Sequence, residues 1–252
     1  MKEYHVKPDS QLNLDTCNPD DTGEYKNTDQ GKEKAKAVTV QLIGRLGELQ
    51  ERLYANGNRA VLIVLQGMDT SGKDGTIKHV MSGVNPQGCR VATFKTPSNS
   101  ELAHDFLWRV HHEVPAKGQI GIFNRSHYED VLITRVHKMI SAKVEVQRLN
   151  QIKEFEELLA ENGTTILKFF CTSPKMSRKR GWKRASAIRK SVGSSAKGIW
   201  KNGSSGPTIS RCLKRYSRQP ARSMRPGTSY PPIGNGIEIS WSPIVSLTPW
   251  KT

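Results

Sequence analysis

The chain has 252 residues, with 39 Lys and Arg against 23 Asp and Glu and a formal charge of +16. That length is enough to bury a real core in one large domain or two small ones, and a charge this high points first to a polyanionic partner. The longest apolar run, Ala60 to Leu65, is far too short to span a bilayer, and four widely spaced cysteines without a Cys-x-x-Cys pair exclude a disulfide scaffold and a zinc module.

Residues 1–34 are polar, rich in Asp, Asn, Gly and Lys, and read as an N-terminal arm. No apolar stretch near Met1 has the form of a signal peptide, so a soluble cytoplasmic protein is expected. Residues 35–58 carry Val38, Leu42, Leu46, Leu49 and Leu53 near helical spacing, and Asn56-Gly57 stops the helix. Ala60 to Leu65 is a continuous apolar strand of the kind buried on both faces. A glycine-rich turn and a helix to about Ser82 follow, then a strand at Arg90–Phe94, a helix from Ser100 to Glu113 and a strand at residues 119–123. Leu149, Ile152, Phe155 and Leu159 predict a long helix around Val144 to Ala160, closed by Asn162-Gly163, and residues 165–170 form a fourth strand. Such alternation predicts an α/β fold: a doubly wound parallel sheet with helices on both faces, over residues 35–170.

Beyond Phe170 the pattern stops. Residues 171–252 hold 17 basic residues and one acid, Glu238, whereas residues 1–170 balance at 22 of each. Leu, Ile, Val and Phe make up only 11 of those last 82 residues. A low aliphatic content with high net charge does not offset chain entropy, so a disordered basic tail is expected and the fold reads as incomplete at its C-terminus. The global charge therefore says little about the folded part.

Gly67-Met68-Asp69-Thr70-Ser71-Gly72-Lys73 fits G-x-x-x-x-G-K, directly after a buried strand and opening a helix. In that setting Gly67, Thr70, Ser71 and Gly72, with Asp74 and Gly75 behind them, form a candidate phosphate cradle. Its backbone N–H groups make an anion nest at a helix N-terminus, and Lys73 adds a point charge. The Ser or Thr that usually follows the Lys is Asp74, and a second acid, Asp69, sits inside the loop. Two carboxylates beside a phosphate site repel substrate unless a divalent cation lies between them. Asp69 is thus the candidate for placing Mg²⁺ or for receiving the acceptor's proton, with a loop-capping role as the alternative, one that Asp74 fits better. Asn124-Arg125 end the third strand, where parallel sheets meet their ligands, and Arg125 is placed to clamp a transferring phosphoryl group. Lys78, Lys95, Arg109 and Arg135 extend a positive track or are ordinary surface charges. His104, His111 and His112 lack a metal-ligand pattern and read as helix residues.

These stretches resemble the second family of polyphosphate kinases, P-loop enzymes that move phosphoryl groups between polyphosphate and nucleotides. The resemblance runs through Gln66–Thr76, Val84-Asn85-Pro86-Gln87-Gly88, Lys95-Thr96-Pro97-Ser98, His104–Arg109 and Gly121–Ser126, within residues 35–170. Asn124-Arg125-Ser126-His127-Tyr128-Glu129 is similar to the form that phosphorylates AMP and ADP. By that resemblance Asp69, Lys73, Asn124 and Arg125 are core active-site positions, with Glu129 and Arg135 as neighbours. It also implies Mg²⁺, polyphosphate and nucleotide substrates, and a homo-oligomer. At Cys171 the resemblance to the family's basic lid and later helices is lost. A single-base loss, in the gene or in its reading, would account for this: codons for Phe-Leu-His-Ile-Ser with one C removed read Phe170-Cys171-Thr172-Ser173-Pro174. In that constant offset Gly181–Gly193 and Arg225–Gly234 also admit family-like C-terminal segments, which makes weak or no turnover the expectation for this polypeptide. Two rival readings stand beside this one. The first is a nucleic-acid-binding protein with a basic tail, against which the tail lacks aromatics interleaved with its charges. The second is an ATP-dependent nucleoside monophosphate kinase.

Overall fold

The computed structural model describes residues 18–68, 70–172 and 242–244. Residues 1–17, Asp69 and most of the basic tail lie outside them, so the expectations for the far N-terminal arm and for tail disorder fall there too. The elements are α1 (Asp29–Asn56), β1 (Ala60–Gly67), α2 (Lys73–Val80), β2 (Cys89–Ala92), α3 (Asn99–Leu102), α4 (Trp108–His111), β3 (Ile120–Asn124), α5 (Glu129–Val136), α6 (Ala142–Glu161), β4 (Thr164–Cys171) and β5 (Ser242–Ile244).

The strands form one parallel sheet in the order β2-β3-β1-β4-β5. From β1 the chain crosses by way of α2 to the outer strand β2, returns to β3, and then passes over β1 through α5 and α6 to β4. The direction reverses between β1 and β3, and there the loops after two adjacent strands diverge to opposite faces. Alternation along β1 divides the core. Leu62 and Val64 pack with Phe123, Ile166, Phe155 and Leu159 beneath α6, with Val110 of α4 joining them. On the other face Leu65, Ile120 and Ile122 pack with Leu53 of α1 and Ile77 of α2. A third cluster, Val131, Leu132, Leu149, Ile152 and Phe170, joins α5 and α6 to the end of β4.

Four local features differ from the sequence reading. The first helix starts at Asp29 because Thr28 caps it, accepting from the Gly31 N–H, and its polar first turns hide it from a hydrophobic pattern. The expected helix from Ser100 to Glu113 is two short helices. Between them the Asp105 carboxylate accepts from the Leu107 N–H at 2.9 Å, a local turn that competes with helix and leaves His104 in a bend. Helix α5 was not expected at all, since eight residues give little periodicity to read. Finally, Ser242–Ile244, inside the zone that reads as disordered, pairs with Phe169–Cys171.

Lys168 is the one charged residue in the sequence of β4, and it is buried. Its ammonium is bonded to the Glu156 carboxylate of α6, and the Tyr128 hydroxyl and the His127 ring meet the same carboxylate at 3.0 and 3.2 Å. Burial pushes the Glu156 carboxyl up, but Lys168 and His127 together outweigh burial and hold it down at about 2 against an ordinary 4.5.

Truncation of Ile152, which is wholly buried, to Ala should cost about 2–5 kcal/mol in denaturant unfolding. The Glu156 carboxyl is depressed by folding, so its contribution to stability is complete above about pH 4.5 and is lost as the pH falls toward about 2. Urea midpoints measured across that window should fall, and the double change Glu156→Leu/Lys168→Met should remove that part of the slope.

Candidate functional site

The candidate site is built where β1 and β3 end side by side. Their register, Leu65 against Asn124, brings the loop after β1 next to the loop after β3. Gly67 has φ 151°, and a Cβ there would lie 2.4 Å from the Cys171 carbonyl and 2.7 Å from Ser71 Oγ, so only glycine lets the loop rest on the end of β4. Gly72, with φ 91°, turns the chain into α2. Thr70 between them takes φ 61°, a left-handed conformation that residues with a Cβ rarely adopt outside functional loops. Ser71 is buried, and its N–H donates to the Met68 carbonyl at 3.1 Å.

Lys73 opens α2 with its side chain buried and folded back over its own loop. Its ammonium donates to the carbonyls of Gly67 at 2.7 Å and Met68 at 3.1 Å, and to Ser71 Oγ at 3.4 Å. The charge is thereby held inside the ring of backbone that forms the cradle. Asp74 and Gly75 are exposed on the first turn of α2, and nothing lies within 4 Å of where a Gly75 Cβ would be. Asp74 accepts a 2.6 Å hydrogen bond from Asn124 Nδ2. That bond fixes the orientation of the Asn124 amide and leaves its Oδ1 buried with no hydrogen-bond partner among the described residues. Beneath the cradle, burial pushes the Cys171 thiol up to about 11 with Lys73 pulling it partly back, so it stays neutral at physiological pH.

Arg125 follows Asn124 with φ 67°, and its carbonyl accepts from the Phe94 N–H at 3.4 Å. Ser126 is fully buried and receives a hydrogen bond from the Gln66 amide, the last side chain before the cradle. Glu129 is the first residue of α5, its N–H bonded to the Ser126 carbonyl at 2.9 Å. Gly67, Thr70, Ser71, Gly72, Lys73, Asp74, Gly75, Asn124, Arg125 and Glu129 therefore lie on two loops that meet at the switch point.

The remaining predicted residues are placed differently. Arg109 is buried, and its guanidinium makes two 2.8 Å bonds to the Asp130 carboxylate and one to the Lys95 carbonyl, also at 2.8 Å. It braces the exposed Lys95 segment against the first turn of α5. Arg135 pairs through Nε with the buried Glu145 at 2.8 Å. His104 stacks on Trp108 at 4.1 Å and His111 meets Phe155 edge-on, so both make ring contacts. Among the described residues no three His, Cys, Asp or Glu side chains converge on a metal position. Asp69 lies outside those residues. The sequence reading missed Gln66, Ser126 and Asp130 as structural partners, although a glutamine ending an apolar strand was a visible signal.

The family profile described as Polyphosphate kinase 2 matches residues 29–191, more than half of the chain. This extends past both ends of the stretch from 35 to 170 in which the motifs carry the resemblance. An AMP/ADP-polyphosphate phosphotransferase of Meiothermus ruber is 53% identical over 170 residues, covering 68% of this chain and 62% of that protein. An ADP-polyphosphate phosphotransferase of Rhodopseudomonas palustris is 46% identical over 153 residues, covering 56% of this chain and 53% of that protein. The crystal structure of polyphosphate kinase 2 from Arthrobacter aurescens superposes with a TM-score of 0.74 at 30% identity, over 96% of this chain and 81% of the other. The chain thus spans somewhat over half the length of these curated relatives. With a glycine-rich loop after β1, an Asn-Arg pair after the neighbouring β3 and a profile match over most of the folded region, the chain belongs to the polyphosphate kinase 2 family.

Proposed function

We propose that the folded core is built to transfer the terminal phosphoryl group of inorganic polyphosphate to AMP or ADP. The observation that carries this reading is the Asn124–Asp74 hydrogen bond, which joins a phosphate cradle to the loop presenting Arg125. The relatives' activities on AMP and ADP supply the acceptor class.

In this reading the backbone N–H groups of Gly72 and Lys73, at the N-terminus of α2, hold the donor phosphates. Lys73 exchanges its loop carbonyls for phosphate oxygens, a shift its flexible stem allows without backbone movement. Arg125 stabilises the charge on the equatorial oxygens as the phosphoryl group passes in line. A nucleotide phosphate oxygen forms the new P–O bond, while the bond to the polyphosphate chain breaks and its electron pair leaves on the shortened polyphosphate. Arg109 holds Lys95 at the rim through the backbone rather than by touching phosphate itself. Arg135 is engaged with Glu145 and acts as a neighbour of the site. Asp74 and the buried, unpartnered Oδ1 of Asn124 are oxygen donors that suit a hard cation. Together with Asp69 of the same glycine-rich motif they would hold Mg²⁺, which when bound neutralises phosphate charge. A homo-oligomer in the cytoplasm accompanies this reading. No helix among the described residues is long and apolar enough to cross a membrane.

Calorimetry with tripolyphosphate and MgCl₂ should show binding to the purified chain, and Lys73→Met should abolish it. Undiminished binding by that variant, or ATP outperforming polyphosphate as donor, would replace this reading with the monophosphate-kinase alternative. Turnover of ADP should be weak in this polypeptide and should rise when one nucleotide is restored near codon 171. In the restored chain Arg125→Ala should lower kcat on the order of 10³-fold.

A further inference from the structure

We propose that the buried Glu156–Lys168 pair is a positioning device for Arg125, acting through His127 and Tyr128. Arg125 has its backbone in the left-handed region at φ 67°, a conformation that residues with a Cβ adopt uncommonly. On its N-terminal side it continues β3, and on its C-terminal side three consecutive residues are anchored. Ser126 is bonded to Gln66 and accepts from the Tyr128 N–H at 3.2 Å. His127 is wholly buried, and its Nε2 lies 3.2 Å from Glu156 Oε1. Its Nδ1 has no hydrogen-bond partner among the described residues, so Glu156 is the ring's polar anchor. The Tyr128 hydroxyl donates to the same Oε1 at 3.0 Å and accepts from Lys168 at 2.9 Å.

The carboxylate therefore fixes both residues that follow Ser126, and Lys168, rigid on the central part of the sheet, fixes the carboxylate. A buried ion pair is a poor way to gain stability, because an apolar pair of similar volume is commonly neutral or better. What an apolar pair cannot do is orient an imidazole and a phenol together. The cost of keeping two charges in the core is consistent with a demand for geometry at Arg125. This inference relies on the phosphotransfer reading only for what Arg125 does, not for how it is held.

The test is the double variant Glu156→Leu/Lys168→Met in the full chain, followed by hydrogen exchange and melting. It should melt within a few degrees of the parent or higher, while the amides of Tyr128 and Glu129 exchange at least tenfold faster. Unchanged exchange at those amides in a variant of parental stability would overturn the proposal. Should the double variant not fold, Tyr128→Phe removes only the hydroxyl that bridges the pair, and it should raise exchange at the same amides severalfold. No rise there would equally overturn it. In the frame-restored chain the double variant should lower kcat about tenfold with KM moved less than threefold, the pattern of a group mis-set for the transition state. A kcat equal to the parent's would count against positioning. Failure of the parent itself to use polyphosphate would overturn the proposed function and leave the exchange result to decide this one.

Discussion

Two hydrogen bonds hold the ends of β1 and β3 in one working unit: Asn124 to Asp74, and Gln66 to Ser126. Each runs between a residue at the end of one strand and a residue in the loop beyond the other. The glycine-rich loop and the arginine loop cannot then separate without breaking both bonds, and losing the buried Gln66–Ser126 bond is more costly than making it is favourable. Everything else in the sheet serves this junction. The parallel register sets its spacing, and the two-faced core packs helices against both sides of the sheet.

Two of the three left-handed non-glycine residues among the described ones flank the junction. Thr70 and Arg125, one on each loop, both adopt left-handed backbone. Such conformations persist where the surroundings over-determine them. For the first loop those surroundings are the Lys73 ammonium on its carbonyls and the close seat of Gly67 on Cys171. For the second they are Phe94, Gln66 and the polar cluster under α6. For the proposed phosphoryl transfer, a site preset in this way would lose less freedom when substrate arrives.

Arginine has two distinct uses here. Arg109 and Arg135 were equally plausible phosphate ligands from sequence, yet each is engaged by an acid, Asp130 and Glu145 respectively. Their forked guanidinium groups join separate segments around the site. The positive track that a charge count suggests is therefore shorter in space than in sequence, because two of its candidates are engaged by acids. Neither is part of the tail that carries the chain's net excess.

Much of this was legible in the chain itself, because local patterns report local physics. The apolar run at Ala60–Leu65 and the glycines of the following turn marked a strand and a phosphate loop. The spacing of Leu149, Ile152 and Phe155 marked the helix that covers the sheet. What remained hidden was what a hydrophobic pattern does not report: side-chain hydrogen bonds, local or distant, and the charges that the fold brings together. Asp105 breaks a helix whose hydrophobic pattern looks continuous, because a side-chain turn outcompetes one more helical hydrogen bond. Glu156 and Lys168 are unremarkable charges until the crossover from β3 to β4 brings α6 over the sheet and buries them together. Sequence pattern was enough for the strands, the glycine-rich turn and the family. Only the tertiary structure decided which charges face the site and which brace it, since partner choice depends on distances that span 60 residues between Gln66 and Ser126.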